Sequence, residues 1–109
     1  MADNIAATPE PPYYAVIFTS IQTDDLAGYA ETSDRMLELA AAQPGYLGVE
    51  SAREGVGITI SYWRDLDSIK AWKREAEHVV AQGNGRRRFY ERYVTRIALV
   101  ERDYSFERG

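Results

Sequence analysis

Beyond a polar, Pro-rich start, apolar side chains recur at two spacings in turn: every second residue, and every third or fourth. The run YYAVIFTSIQ from Tyr13 to Gln22 is rich in aromatic and β-branched residues and reads as a strand. Thr23, followed by Asp24 and Asp25, carries the side chains that favour a helix start. Leu26, Tyr29 or Ala30, Ser33, Met36 or Leu37 and Ala40 then fall on one face of a helix, predicted over residues 24–42 and stopped by Pro44-Gly45. Two short strands follow, Tyr46 to Arg53 and Gly57 to Trp63, with a hairpin link at Glu54-Gly55-Val56-Gly57. Asp65 or Asp67 caps a second helix that carries Leu66, Ile69, Trp72, Ala76, Val79 and Val80 on one face and ends at Gly83-Asn84-Gly85. The basic triplet Arg86 to Arg88 leads into a last strand, Tyr90 to about Tyr104, where Tyr93, Thr95, Ile97 and Leu99 alternate with Val94, Arg96, Ala98 and Val100.

The order βαββαβ predicts an α+β ferredoxin-like domain: a four-stranded antiparallel sheet with both helices on one face. It occupies residues 13–106, and residues 1–12 are expected to be a flexible tail, because they lack any packing period. The strands are apolar on both faces. In the first, Ala15, Ile17 and Ile21 oppose Tyr14, Val16 and Phe18; in the third, Ile58, Ile60 and Tyr62 oppose Thr59, Ser61 and Trp63. Two helices cover one face only, and each large side chain left in water forfeits about 1.5–3 kcal/mol. The second face is therefore expected to meet another copy of the chain, giving a homodimer.

Composition narrows the chemistry. The 109 residues contain no Cys and one His, which excludes disulfide scaffolds, thiolate metal sites, a cysteine nucleophile and a two-histidine metal site within one chain. A net charge of −4 argues against nucleic acid as a partner. No run approaches the roughly 18 apolar residues of a membrane span, and the N-terminus lacks the apolar core of a signal peptide. A cytoplasmic domain is expected. The unusual feature is aromatic content: eight Tyr, three Phe and two Trp.

Over about residues 13–104 the chain resembles the antibiotic biosynthesis monooxygenase family of dimeric α+β barrel proteins. The resemblance rests on the element order and on local matches: Gln43-Pro44-Gly45-Tyr46-Leu47-Gly48 at the turn into the second strand, Ile60-Ser61-Tyr62-Trp63 before an acidic helix cap, and the helix from Asp65 through Trp72 to Glu77-His78. It implies a cavity in each subunit between sheet and helices. It also implies oxygenation of a small aromatic or quinol-like substrate without metal or flavin, the substrate carbanion giving electrons to O2. Alternatives are a haem-binding or haem-degrading protein and a non-catalytic dimeric ligand-binding module. Haem-degrading members use an Asn on the first strand, a Trp on the second helix and an axial His further along it. Trp72 matches the Trp, but Gln82 stands where the His would be, and the first strand has no Asn.

His78 is the one side chain whose ordinary pKa lies near neutrality, so it is the expected general base; the competing role is a surface histidine. Trp63 and Trp72 are expected to wall a site for a planar ligand, although packing in the core would use them equally well. Tyr46 and Tyr90, with Tyr62 and Tyr93, offer hydroxyl donors to a developing oxyanion. Arg86, in the basic triplet, is a candidate for a ligand carboxylate or phenolate, against the plainer role of a solvated loop charge. Tyr104 and Phe106 give the chain end an apolar character suited to crossing onto a partner subunit.

Overall fold

The computed structural model describes residues 5–83 and 88–109. Six elements follow in the expected order: β1 (Tyr13–Gln22), α1 (Tyr29–Ala41), β2 (Tyr46–Arg53), β3 (Gly57–Trp63), α2 (Leu66–Gly83) and β4 (Tyr90–Val100). The strands form one antiparallel sheet in the order β2-β3-β1-β4. Both helices lie on one face, as the ferredoxin-like pattern requires.

The register assigns every strand residue to a face. Trp63 pairs with Tyr14, Ser61 with Val16 and Thr59 with Phe18, while Val16 faces Ile97 and Phe18 faces Thr95 across β4. These residues, with Tyr46, Val49 and Arg53 of β2, form the helix side of the sheet. Ile17, Ile58, Ile60 and Ala98 occupy the other side. The core sits at one end of the helix side, where Trp63, Ala40 and Ile69 are buried together and Tyr14, Val16, Tyr46 and Trp72 pack against them.

Two boundaries differ from the sequence pattern, and one choice it left open is decided. Helix α1 begins at Tyr29 rather than residue 24, behind Gly28 at φ 82°. Thr23 is engaged elsewhere: its amide donates to the Phe89 carbonyl and its hydroxyl to the Arg88 carbonyl, tying the end of β1 to the start of β4. The chain must therefore turn before it can coil, and Leu26 is left exposed. Helix α2 takes Asp65, not Asp67, as its cap; the Asp65 carboxylate accepts from the Ser68 amide at 2.8 Å and the Ser68 hydroxyl at 2.7 Å. Those bonds hold the Asp65 carboxyl below its ordinary pKa. Strand β4 ends at Val100, where β1 offers no further partner, and residues 101–109 continue without regular structure.

Gly45, at φ 88°, makes the turn into β2 possible. A Cβ there would also lie 2.6 Å from that of Ser68, so α2 starts directly against this turn. The segment before β1 makes hydrogen bonds to the sheet where it is described. The Ala6 amide donates to Glu50 at 2.9 Å and the Thr8 hydroxyl to that of Tyr13 at 2.9 Å. Glu50 also accepts from Tyr62 at 2.7 Å, and the Tyr13 hydroxyl donates to Asp103 at 2.5 Å. Ala6, Thr8 and Asp103 are thereby tied to one corner of the sheet's second face.

A candidate aromatic cavity between sheet and helices

The helix side of the sheet is not filled. Opposite the floor made by Val16, Phe18, Val49, Thr59 and Ser61, the helices present Thr32, Ser33, Ala40 and Ala76 among larger residues. Short side chains facing each other across the layers leave a cavity of about 640 Å³, within the range of small-molecule sites. Met36 and Leu37 of α1 and Ile69 and Trp72 of α2 add apolar wall.

One end of the cavity is an aromatic box. The Phe18 ring lies 5.4 Å from Tyr90 and 5.1 Å from Tyr93, the Tyr29 ring 5.2 Å from Phe89 and 6.2 Å from Tyr90, and Tyr90 5.7 Å from Tyr93. Burial pushes the Tyr90 hydroxyl well above the ordinary phenol pKa, and a hydrogen bond with Tyr29 adds to this against the opposing pull of the Arg53 charge. Tyr90 is thus a neutral donor across the physiological range. Burial raises Tyr46 in the same direction.

The expected site residues separate into groups. Trp72, Tyr46 and Tyr90 line the cavity. Trp63 does not: it is fully buried behind Trp72, stacked on it at 6.0 Å, edge-on to Tyr46 at 5.6 Å, with its indole N–H donating to Ser61 at 2.8 Å. It supports the wall from behind instead of touching a ligand. His78 is exposed and lies outside the lining residues, although Glu77 beside it is among them. Each helical step turns the side chain by about 100°, which carries His78 past the face that Ile69, Trp72, Lys73 and Ala76 present. The structure therefore does not bring His78 to the cavity as the expected base. Arg86 lies outside the described residues. Tyr62 is on the opposite side of the sheet, bonded to Glu50, and Tyr93 joins the aromatic box.

Arg53 is the cavity residue that the sequence reading passed over. It stands at the end of β2, opposite Gly57 in the β2–β3 register, while Gly57 in turn pairs with Ser20 of β1. With no side chain at Gly57, the Arg53 guanidinium crosses β3 and donates to the carbonyl and hydroxyl of Ser20. The signal in the sequence was an Arg on the inward phase of β2 four residues before a Gly that begins β3. Among the described residues there is no group of three side chains suited to holding a metal ion, and no helix is long and apolar enough to cross a membrane.

An α+β domain of ferredoxin-like topology with an aromatic cavity under its helices is the class that this geometry defines. Residues 12–84 match the model of the antibiotic biosynthesis monooxygenase family, and the chain belongs to that family. It is 51% identical to the uncharacterized protein YqjZ of Bacillus subtilis, over 98% of this chain and 96% of that one. Among solved structures it is similar to SnoaB, a cofactor-independent oxygenase from Streptomyces nogalater, with a TM-score of 0.65 at 14% identity, covering 90% of this chain and 100% of that one. It is also similar to PA3566 from Pseudomonas aeruginosa, with a TM-score of 0.65 at 14% identity over 88% and 99% of the two chains. At such identities the structural likeness establishes the fold.

Proposed function

We propose that the cavity binds a small planar aromatic substrate and that the protein oxygenates it without a cofactor. The observation that carries this reading is the partly open cleft of about 640 Å³ with its aromatic box. Family membership and the fold shared with SnoaB support the reaction class.

In such a reaction an activated C–H of an anthrone or quinol-like substrate loses its proton, and the carbanion reduces O2. A C–O bond forms, giving a hydroperoxide, which loses water to leave a carbonyl. One oxygen atom stays in the product and the other leaves as water, the electrons for both coming from the substrate. The chain's part is to orient the ring, exclude bulk water and stabilise the negative oxygen of the enolate, for which Tyr90 is the placed neutral donor. Glu77 is the carboxylate on the cavity wall, and we assign the proton to it in preference to His78.

Dithranol, an anthrone, is the probe. Protein treated with a chelator is expected to accelerate O2 uptake, one O2 per anthrone converted to anthraquinone, with His78→Ala keeping the rate. No acceleration over buffer overturns the oxygenase reading, and tight dithranol binding without turnover leaves a ligand-binding module in its place.

The homodimer belongs to the same proposal. On the face away from the helices Ile21 and Ile58 are 39% and 43% exposed, beside half-buried Ile17 and Ile60. A second copy packed on this face would remove that surface from water. Sedimentation equilibrium is expected to give the mass of two chains, and Ile60→Asp that of one. A wild-type monomer at tens of micromolar would contradict it.

A further inference from the structure

We propose that Arg53, held across Gly57 by Ser20, forms with Tyr90 a subsite for an ionised oxygen on the aromatic ligand. This rests on the reading of the cavity as an aromatic-ligand site and adds the charge of the ligand to it.

Five observations converge. A guanidinium carries five N–H donors, and Ser20 accepts from only two of its nitrogens. Ser20 is itself 2% exposed, so the anchor is fixed in the sheet, while Arg53 is exposed and its remaining donors are open to a ligand. Among the described residues no carboxylate pairs with Arg53; the ion pairs join Arg64 to Asp65 and Arg88 to Asp25. The charged residues of the described wall are Arg53, Lys73 and Glu77, which leaves the cavity with an excess of positive charge. Ser20, which holds Arg53, is paired with Tyr93 of β4, and the Tyr93 ring lies 5.7 Å from Tyr90, so a cation and a neutral donor address the same end of the aromatic box.

A planar ring entering the box between Phe18, Tyr90 and Tyr93 would bring a peripheral oxygen to this pair. Arg53 supplies charge-assisted donors to a carboxylate or enolate oxygen and Tyr90 one further hydrogen bond. A neutral isostere would offer the guanidinium only an uncharged acceptor, which makes a weaker hydrogen bond. The path over Gly57 is part of the device: a Cβ at that position would meet the Arg53 guanidinium carbon at 2.1 Å. Any side chain there displaces the flexible end of Arg53 while its charge stays in the protein.

The test compares 2-naphthoate with 2-naphthamide, equal in shape and different in charge, by titration calorimetry. The wild type is expected to prefer the acid by about ten-fold or more, equivalent to roughly 1.4 kcal/mol. Arg53→Gln should abolish the preference, acid affinity falling far more than amide affinity. Gly57→Ala, with the same net charge, should reduce the preference as well. Equal binding of acid and amide to the wild type, or a preference that survives Arg53→Gln, overturns the subsite while the aromatic site stands. If neither naphthalene binds, the cavity reading fails and the subsite fails with it.

Discussion

Trp63→Ala is expected to cost about 3–5 kcal/mol of folding stability, the largest loss from any single truncation among the described residues. Trp63 has no exposed surface, so its whole side chain contributes apolar burial. It also joins three elements. Its ring stacks on Trp72 of α2 and meets the edge of Tyr46 at the start of β2, and Ala40 of α1 belongs to the same buried cluster. Truncation would leave a void beneath both helices and strand the Ser61 hydroxyl that the indole N–H now reaches. Trp63→Phe should recover much of the loss, because it refills the void and sacrifices only the hydrogen bond. Denaturant unfolding checks both variants; a loss below about 1 kcal/mol for Trp63→Ala would contradict Trp63 as the anchor of the core. Trp72 depends on that anchor for its own position, so ligand affinity should fall in the surviving folded fraction as well.

Filling the cavity is expected to abolish turnover while sparing the fold. Ser33 lines the cavity from α1, on the same helix face as Tyr29, Met36 and Leu37. An indole at that position has only the empty space to enter, so Ser33→Trp should bring dithranol oxidation down to the uncatalysed rate, a loss of at least roughly ten-fold. Thermal unfolding should stay close to wild type, since no packed side chain is removed. Asp34→Trp is the control: Asp34 is the exposed neighbour on the solvent side of the same turn, and its replacement should leave oxidation intact. Equal activity in the two variants would place the chemistry outside the cavity.

Much of the architecture was legible because each strand fixes its own alternation. The opposition of Val16 and Phe18 to Ile17, read from residue spacing, is the opposition that the register shows. Helix α2 was equally plain, down to an aspartate cap. The start of α1 was hidden because Thr23 bonds to Arg88 and Phe89, residues distant in the chain that no local signal connects to it.

The site was legible in part for the same kind of reason. Periodicity tells which faces turn inward, and it placed Ser33, Met36 and Trp72 correctly on them. It does not tell how completely facing residues fill the gap, so the cavity opened by Ser33, Ala40, Thr59 and Ala76 had to be seen in three dimensions. Trp63 and Trp72 share the same chemistry, and only depth decides that one is core and the other wall. Residue type singles out His78 as a base, but it lies one helical step beyond the lining face. Arg53 escaped notice because its role depends on Gly57 and Ser20, two positions brought beside it by strand pairing.

Chemical-shift mapping of 15N-labelled protein titrated with 2-naphthoate tests the central claim, that the cavity under the helices is the ligand site, most directly. The account predicts that shifts concentrate at Phe18, Tyr29, Ser33, Thr59, Trp72 and Tyr90, with Ile17, Ile58 and Ile60 on the opposite face of the sheet left unmoved. Shifts confined to those isoleucines, or no shifts at saturating ligand, would contradict it.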